Sequence, residues 1–406
     1  MSFPSHRLSR RRVLILLGSG LGVATLACLG DDDSATPSTT AEPDATATIA
    51  PTSQVQPTAQ PAPLETMIGQ MLMLGFRGGT LERSEPVHTE IGAGRAGNVV
   101  LFDYDIPSNG ASTRNVQSPS QLKALTSQLQ SLSPVPQLIA TDQEGGLVAR
   151  LKPAHGFPAT LAAEEVGGWK DLTKTRDYAR AMATTLAEAG VNLNLAPVVD
   201  VNVNPANPII GDLGRSFSSD PEEVADQARV FIEAHHEKGV LCTLKHFPGH
   251  GSSVADSHLG FVDVTNTWTE AELIPFQRTI QAGLADAVMT AHIFNGKLDS
   301  TYPATLSKPT ITGLLRERLG YDGVVITDDM LMGAIANYYT FEQGVEAAIL
   351  AGADIVAISH NQGSYQPESG NKAFASILAA VHAGRIPETR IRESYDRIMR
   401  LKARLA

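Results

Sequence analysis

The chain has 406 residues, 42% of them hydrophobic, and a formal net charge of −11. That apolar content supports one large core or two average ones and excludes a chain that is disordered throughout. The acidic balance repels a phosphate backbone and excludes nucleic acid as a partner.

Arg10, Arg11 and Arg12 follow Ser9 and precede an apolar run from Val13 to about Leu29, the order of a charged segment and a hydrophobic segment in an export signal. The run is too short, and too interrupted by Gly18, Gly20 and Gly22, to favour a transmembrane helix. The twin arginines before Val13 and Leu14 are similar to a twin-arginine signal. Thr25-Leu26-Ala27-Cys28 is similar to a lipoprotein processing site, which makes Cys28 the expected lipidation position. Residues 1–28 are therefore expected to direct export, with the protein secreted or anchored by its N-terminus on the extracytoplasmic face. Loss of residues 1–27 removes four arginines and no acid, taking the net charge from −11 to −15. Cys242 would then be the only remaining thiol, so no intrachain disulfide is expected.

Residues 29–63 are expected to form a disordered linker, because from Asp31 to Pro63 they are almost wholly Ala, Thr, Pro, Ser, Gln and Asp. A flexible coil of that length spans roughly 30 Å, enough to hold a domain off a membrane.

From Leu64 onward, strand-length apolar runs alternate with helix-length amphipathic stretches. The runs are Met71 to Phe76, Asn98 to Asp103, Gln137 to Asp142, Val191 to Asp200, Val240 to His246, Ala285 to Ile293, Val324 to Asp328 and Ala353 to Ser359. Most lack alternation, as strands buried on both faces do. Gly190, Gly239, Gly283 and Gly352 each stand between a helix pattern and the next run, where a helix end needs a left-handed residue. Eight such units over residues 64–406 predict a single (β/α)8 TIM barrel, closed by helix from Lys372 to Leu405.

In such a barrel the chemistry lies at the carboxyl ends of the strands. Several runs end in ionisable residues: Asp142, Asp200, Lys245 with His246, His292, and Asp328 with Asp329. A buried strand gains nothing from such an ending unless the charges meet a ligand or one another. Lys245-His246-Phe247-Pro248-Gly249-His250-Gly251 must be a loop, since Pro248 and two glycines forbid regular structure. Asp256-Ser257-His258 follows it, a spacing that lets a carboxylate orient and charge an imidazole for acid/base work. A metal-dependent barrel hydrolase would need His-x-His after its first strand, where this chain has Gly75-Phe76-Arg77-Gly78, and Lys245 would repel a cation. No metal and no organic cofactor are expected.

Residues 64–406 resemble the cell-wall-recycling β-N-acetylhexosaminidases of glycoside hydrolase family 3. The resemblance is carried by Gly69 to Phe76, Asp142-Gln143-Glu144-Gly145-Gly146, Arg215-Ser216-Phe217, the Lys245 to Gly251 loop, Asp256-Ser257-His258, and Thr327-Asp328-Asp329-Met330. It implies that Asp328 is the nucleophile, that His258 is the general acid/base assisted by Asp256, and that Asp142, Arg150, Arg215, Lys245 and His246 bind the sugar. Asp329 is expected to cap a helix or support its neighbour. The resemblance thus implies a retaining exo-β-N-acetylhexosaminidase acting as a monomer on peptidoglycan fragments or chitin-like oligosaccharides. Two features depart from the family pattern: Leu147 stands where arginine is usual, and the Gly211 to Gly214 run before Arg215 is longer.

Two competing readings are a β-glucosidase or β-xylosidase of the same family, against which the Asp256–His258 pair argues, and a non-catalytic sugar-binding lipoprotein. His250, His292 and Asp200 are as readily structural as functional, and Trp169 and Trp268 are expected to pack.

Overall fold

The computed structural model describes residues 62–81 and 86–405. The export signal, Cys28 and nearly all of the linker lie outside the described residues. No described helix is long and apolar enough to cross a membrane.

Eight parallel strands form the centre: β1 (Leu72–Leu74), β2 (Asn98–Leu101), β3 (Leu138–Thr141), β4 (Leu193–Asn194), β5 (Leu241–Phe247), β6 (Ala287–Thr290), β7 (Val324–Ile326) and β8 (Val356–Ile358). Each falls within one of the eight runs read from the sequence, except that β5 runs one residue further, to Phe247. Neighbours pair in chain order, and β8 pairs with β1 through Leu72 opposite Val356. The ring closes between β7 and the segment leading into β8, where Ile326 bridges Ile355 and the Ile355 amide donates to the Val325 carbonyl at 3.0 Å. The fold is a (β/α)8 barrel.

The fourth strand is shorter than its run. Pro197 has no amide hydrogen to give the ladder, so β4 stops at Asn194. Pairing with β5 then resumes as a single bridge, Val198 to Lys245. This break sends Val199 and Asp200 over the carboxyl end of the barrel.

The surrounding helices follow from local chemistry. Leu172–Glu188 starts at Asp171, whose carboxylate accepts from the amides of Thr173 and Lys174. Its buried face is Thr175, Ala179, Met182, Ala183 and Leu186, the three-to-four spacing of one helical stripe. Truncating the fully buried Leu186 to Ala is worth about 2–5 kcal/mol. The helix ends at Gly190, whose φ of 75° lets its amide turn back to the Ala187 carbonyl. The closing segment is two helices, Ser369–His382 and Glu388–Lys402, rather than one. Gly384 at φ 71° and Pro387 at the start of the second enforce the break.

Candidate active site

A cavity of about 190 Å³ opens at the carboxyl ends of the strands. Its floor is made by inward-facing strand residues, among them Met73, Val100, Met289 and Ala357. Its walls bring together Asp142, Arg150, Arg215, Lys245, His246, His258 and Asp328. Asp256 stands behind His258, bonded to it, and does not line the cavity.

One wall is an ion-pair network. Lys245, projecting from β5, donates to Asp142 Oδ1 at 2.8 Å and lies 2.8 Å from Glu144 Oε1. Arg150 donates to the other Asp142 oxygen at 3.1 Å. Glu144 takes a fork of two bonds from Arg215, each 2.7 Å. Burial alone would raise both carboxylates, but the cations win: Asp142 is held well below the usual carboxylate range by Lys245 and Arg150, and Glu144 is held at about 2 by Arg215 and Lys245. Arg215, after the loop from Gly211 to Gly214, lines the cavity. Asn207 accepts from the amides of Ile209 and Ile210, and the Gly214 amide returns to the Gly211 carbonyl, closing the turn before Arg215. Leu147 sits exposed at the tip of a small hairpin, Gln143–Gly145 with Val148–Ala149, whose Val148 faces the cavity.

Asp200 and Glu144 are the members of this network that the sequence reading left without a role. Asp200 does not pair with an arginine. It is fully buried, accepts from His246 Nδ1 at 2.7 Å, and accepts the amides of His246 and His250 at 3.2 and 2.7 Å. It therefore fixes the His246 ring and both ends of the intervening loop. The usable sequence signal was its position at the end of an apolar run, the same signal that marked Asp142.

The loop is packed from several sides. Gly251 lies so close to the Val201 carbonyl that a Cβ there would come within 1.7 Å of its oxygen. Trp268 is buried and donates to the Pro248 carbonyl at 3.0 Å. His250 is bonded with Ser253 and Ser257 through its two ring nitrogens, and burial holds it down to about 4, so it braces the loop as a neutral group. His292 is likewise taken up, by Thr305 at 2.8 Å and the Asp329 carbonyl at 3.0 Å. Trp169 packs edge-on against Tyr178, away from the cavity.

The opposite wall is sparsely bonded. His258 Nδ1 donates to Asp256 Oδ1 at 2.7 Å, which leaves Nε2 as the free ring nitrogen. Burial works to lower the His258 pKa, and the Asp256 bond together with the Asp328 charge raises it above the ordinary histidine value. Asp328 follows β7 on the face shared by Val324 and Ile326, and accepts from the Asp329 amide at 2.8 Å. Burial opposes its ionisation, but His292, His246 and His258 hold it below the usual carboxylate range. Asp329 caps no helix. It takes the Ser359 amide at 3.1 Å and the Ser359 hydroxyl, tying β7 to β8, and burial pushes it up to about 6. Among the described residues no group of three or more His, Cys, Asp or Glu side chains is placed to hold a metal ion.

The fold and this cavity define a (β/α)8 barrel protein with an anionic carboxylate and a carboxylate-backed imidazole facing one ligand-sized space. The particular family follows from comparison: residues 63–401 match the glycosyl hydrolase family 3 N-terminal domain, and the chain belongs to that family. A β-hexosaminidase A from Pseudoalteromonas piscicida is 34% identical over 85% of this chain. A β-hexosaminidase from Xylella fastidiosa is 36% identical over 76% of this chain and 87% of its own length. Among solved structures, a family 3 β-N-acetylglucosaminidase from Paenibacillus sp. aligns with TM-score 0.77 and 36% identity over 85% of this chain. A β-N-acetylhexosaminidase from Beutenbergia cavernae aligns with TM-score 0.73 and 30% identity over 84% of this chain and 99% of its own. The chain spans 62% of the Pseudoalteromonas protein and 63% of the Paenibacillus chain.

Proposed function

We propose that this protein is a retaining exo-β-N-acetylhexosaminidase, removing terminal β-linked N-acetylhexosamine from peptidoglycan fragments or chitin-like oligosaccharides. The reading rests above all on one observation: Asp328 and His258 line the same cavity, and their surroundings favour the ionised carboxylate and the protonated imidazole. Asp328, ionised and open to the cavity, attacks the anomeric carbon as the glycosidic bond breaks. His258, cationic and oriented by Asp256, gives its Nε2 proton to the departing oxygen. A covalent glycosyl-enzyme results. The now neutral imidazole takes a proton from water, water displaces Asp328, and two inversions retain configuration. Asp142, Arg150, Lys245, His246 and Arg215 form the rigid wall against which the sugar hydroxyls are held. This chemistry asks for no metal or organic cofactor.

The names of the aligned relatives support the aminosugar. A chromogenic β-N-acetylglucosaminide tested beside the matching β-glucoside decides it: turnover of the first and not the second is expected, and turnover of the glucoside alone would sink the reading.

The N-terminal pattern supports export, with Cys28 as a lipid anchor and the domain carried outward on the linker. Mass spectrometry of the mature N-terminus is expected to show a diacylated Cys28, and an unmodified Met1 would refute it.

A further inference from the structure

The loops beside His258 carry apolar side chains in water. Leu259 is 79% exposed, Phe261 49% and Tyr338 59%. Phe261 and Tyr338 are in ring contact. The Phe261 ring lies 5.9 Å from Tyr338 and 5.3 Å from Phe294, which backs it from the loop after β6. Backbone bonds fix the arrangement. The Gly333 and Ala334 amides donate to the carbonyls of His258 and Ser257 at 3.1 and 3.2 Å, so the short helix leading to Tyr338 is fastened to the acid/base loop itself. The Phe294 amide donates to the Val262 carbonyl at 2.8 Å, and the Val264 amide to the Phe294 carbonyl at 2.9 Å.

We propose that Phe261 and Tyr338 form the leaving-group subsite, stacking on the ring of a neutral β-linked N-acetylhexosamine chain of the chitin type. This rests on the hexosaminidase reading and narrows its substrate. The side of the cavity where the bond is cleaved is the side where His258 delivers its proton; the two rings do not line the cavity itself and belong to the segments bonded to the His258 loop. The apolar face of a pyranose suits an aromatic ring, and such faces left in water beside a site mark ligand contact. Charge selects the kind of sugar. The chain has no Lys or Arg between Lys245 and Arg278, nor between Asp328 and Lys372, and the β6 loop contributes only Lys297 before Lys308. The same loops carry Asp263 and Asp299, while Asp256 is taken up by His258. In these loops two carboxylates face one lysine, so a muramic acid carboxylate or an acidic stem peptide would be less well received than an uncharged sugar.

The test compares wild type with a Phe261→Ala/Tyr338→Ala double variant on three substrates. They are N-acetyl-β-glucosaminyl fluoride, whose leaving group is one atom, N,N′,N″-triacetylchitotriose (chitotriose), and N-acetylglucosamine linked to N-acetylmuramic acid. Expected are a loss of about 10-fold in kcat/KM on chitotriose, carried mainly by KM, and a change under about 2-fold on the fluoride. Wild type should also prefer chitotriose to the muramic disaccharide. Equal losses on chitotriose and fluoride, or none on chitotriose, would overturn the subsite. A wild-type preference for the muramic disaccharide would overturn the neutral-glycan assignment. Wild type inert on the fluoride would instead overturn the hexosaminidase reading, and the subsite with it.

Discussion

Both ends of the barrel bury carboxylates, and they treat them differently. At the amino end Asp354 is fully enclosed, taking bonds from Arg316 at 2.6 Å, Arg390 at 2.9 Å, Ser394 at 2.8 Å and the Val325 amide at 2.9 Å. Asp286 is held there in the same way by His236, Arg404 and the Cys242 amide. At the carboxyl rim Asp328 accepts from its neighbour's amide, and it is held below the usual carboxylate range by nearby imidazoles rather than by a bonded arginine. A carboxylate whose lone pairs are all taken is a strut. One that keeps a free oxygen toward a cavity keeps its nucleophilicity, so burial and ionisation alone do not distinguish the two.

Substitution should separate the ends. The largest effect is expected from Asp328→Ala: kcat on a nitrophenyl N-acetylglucosaminide should fall by about 10⁴-fold or more, with the melting temperature near wild type. A variant that melts early and keeps its specific activity would make Asp328 another strut. Asp354→Ala should do the reverse. Removing one partner from a buried charge cluster costs about 3–5 kcal/mol, visible in a urea titration, while kcat per folded molecule stays within about 2-fold.

A smaller change should sharpen the rim itself. Activity needs Asp328 ionised and His258 protonated, so kcat/KM against pH should be bell-shaped, its acid limb below the usual carboxylate range and its alkaline limb above the ordinary histidine value. Asp256→Asn removes the strongest interaction raising the His258 pKa, so the imidazolium is lost at lower pH and the alkaline limb moves acidward. An unmoved limb would mean that His258 is not the acid.

The rim's two walls also explain which residues could be read in advance. Asp142, Lys245 with His246, and Asp328 close apolar runs, and ionisable residues at the ends of buried strands mark the barrel's carboxyl rim. Asp256 and His258 are two apart, close enough for their bond to be local. Glu144 gave no such signal. Its partners are Arg215, 71 positions away, and Lys245 on β5, and only barrel closure brings them together. Asp200 belonged to a run that the structure breaks at Pro197, and its partner His246 comes from the neighbouring strand.

Sequence by itself determined the eight strands, the helix ends and the chemical types at the carboxyl rim, because hydrophobic period, capping and backbone restriction act over a few residues. Tertiary structure alone decided which charges are satisfied and which remain open. It paired Asp200 with His246 and Glu144 with Arg215, left Asp328 facing the cavity, and set Phe261 beside Tyr338. Those outcomes depend on distances between strands and loops far apart in the chain, and charge pairing at 3 Å cannot be read from residue order.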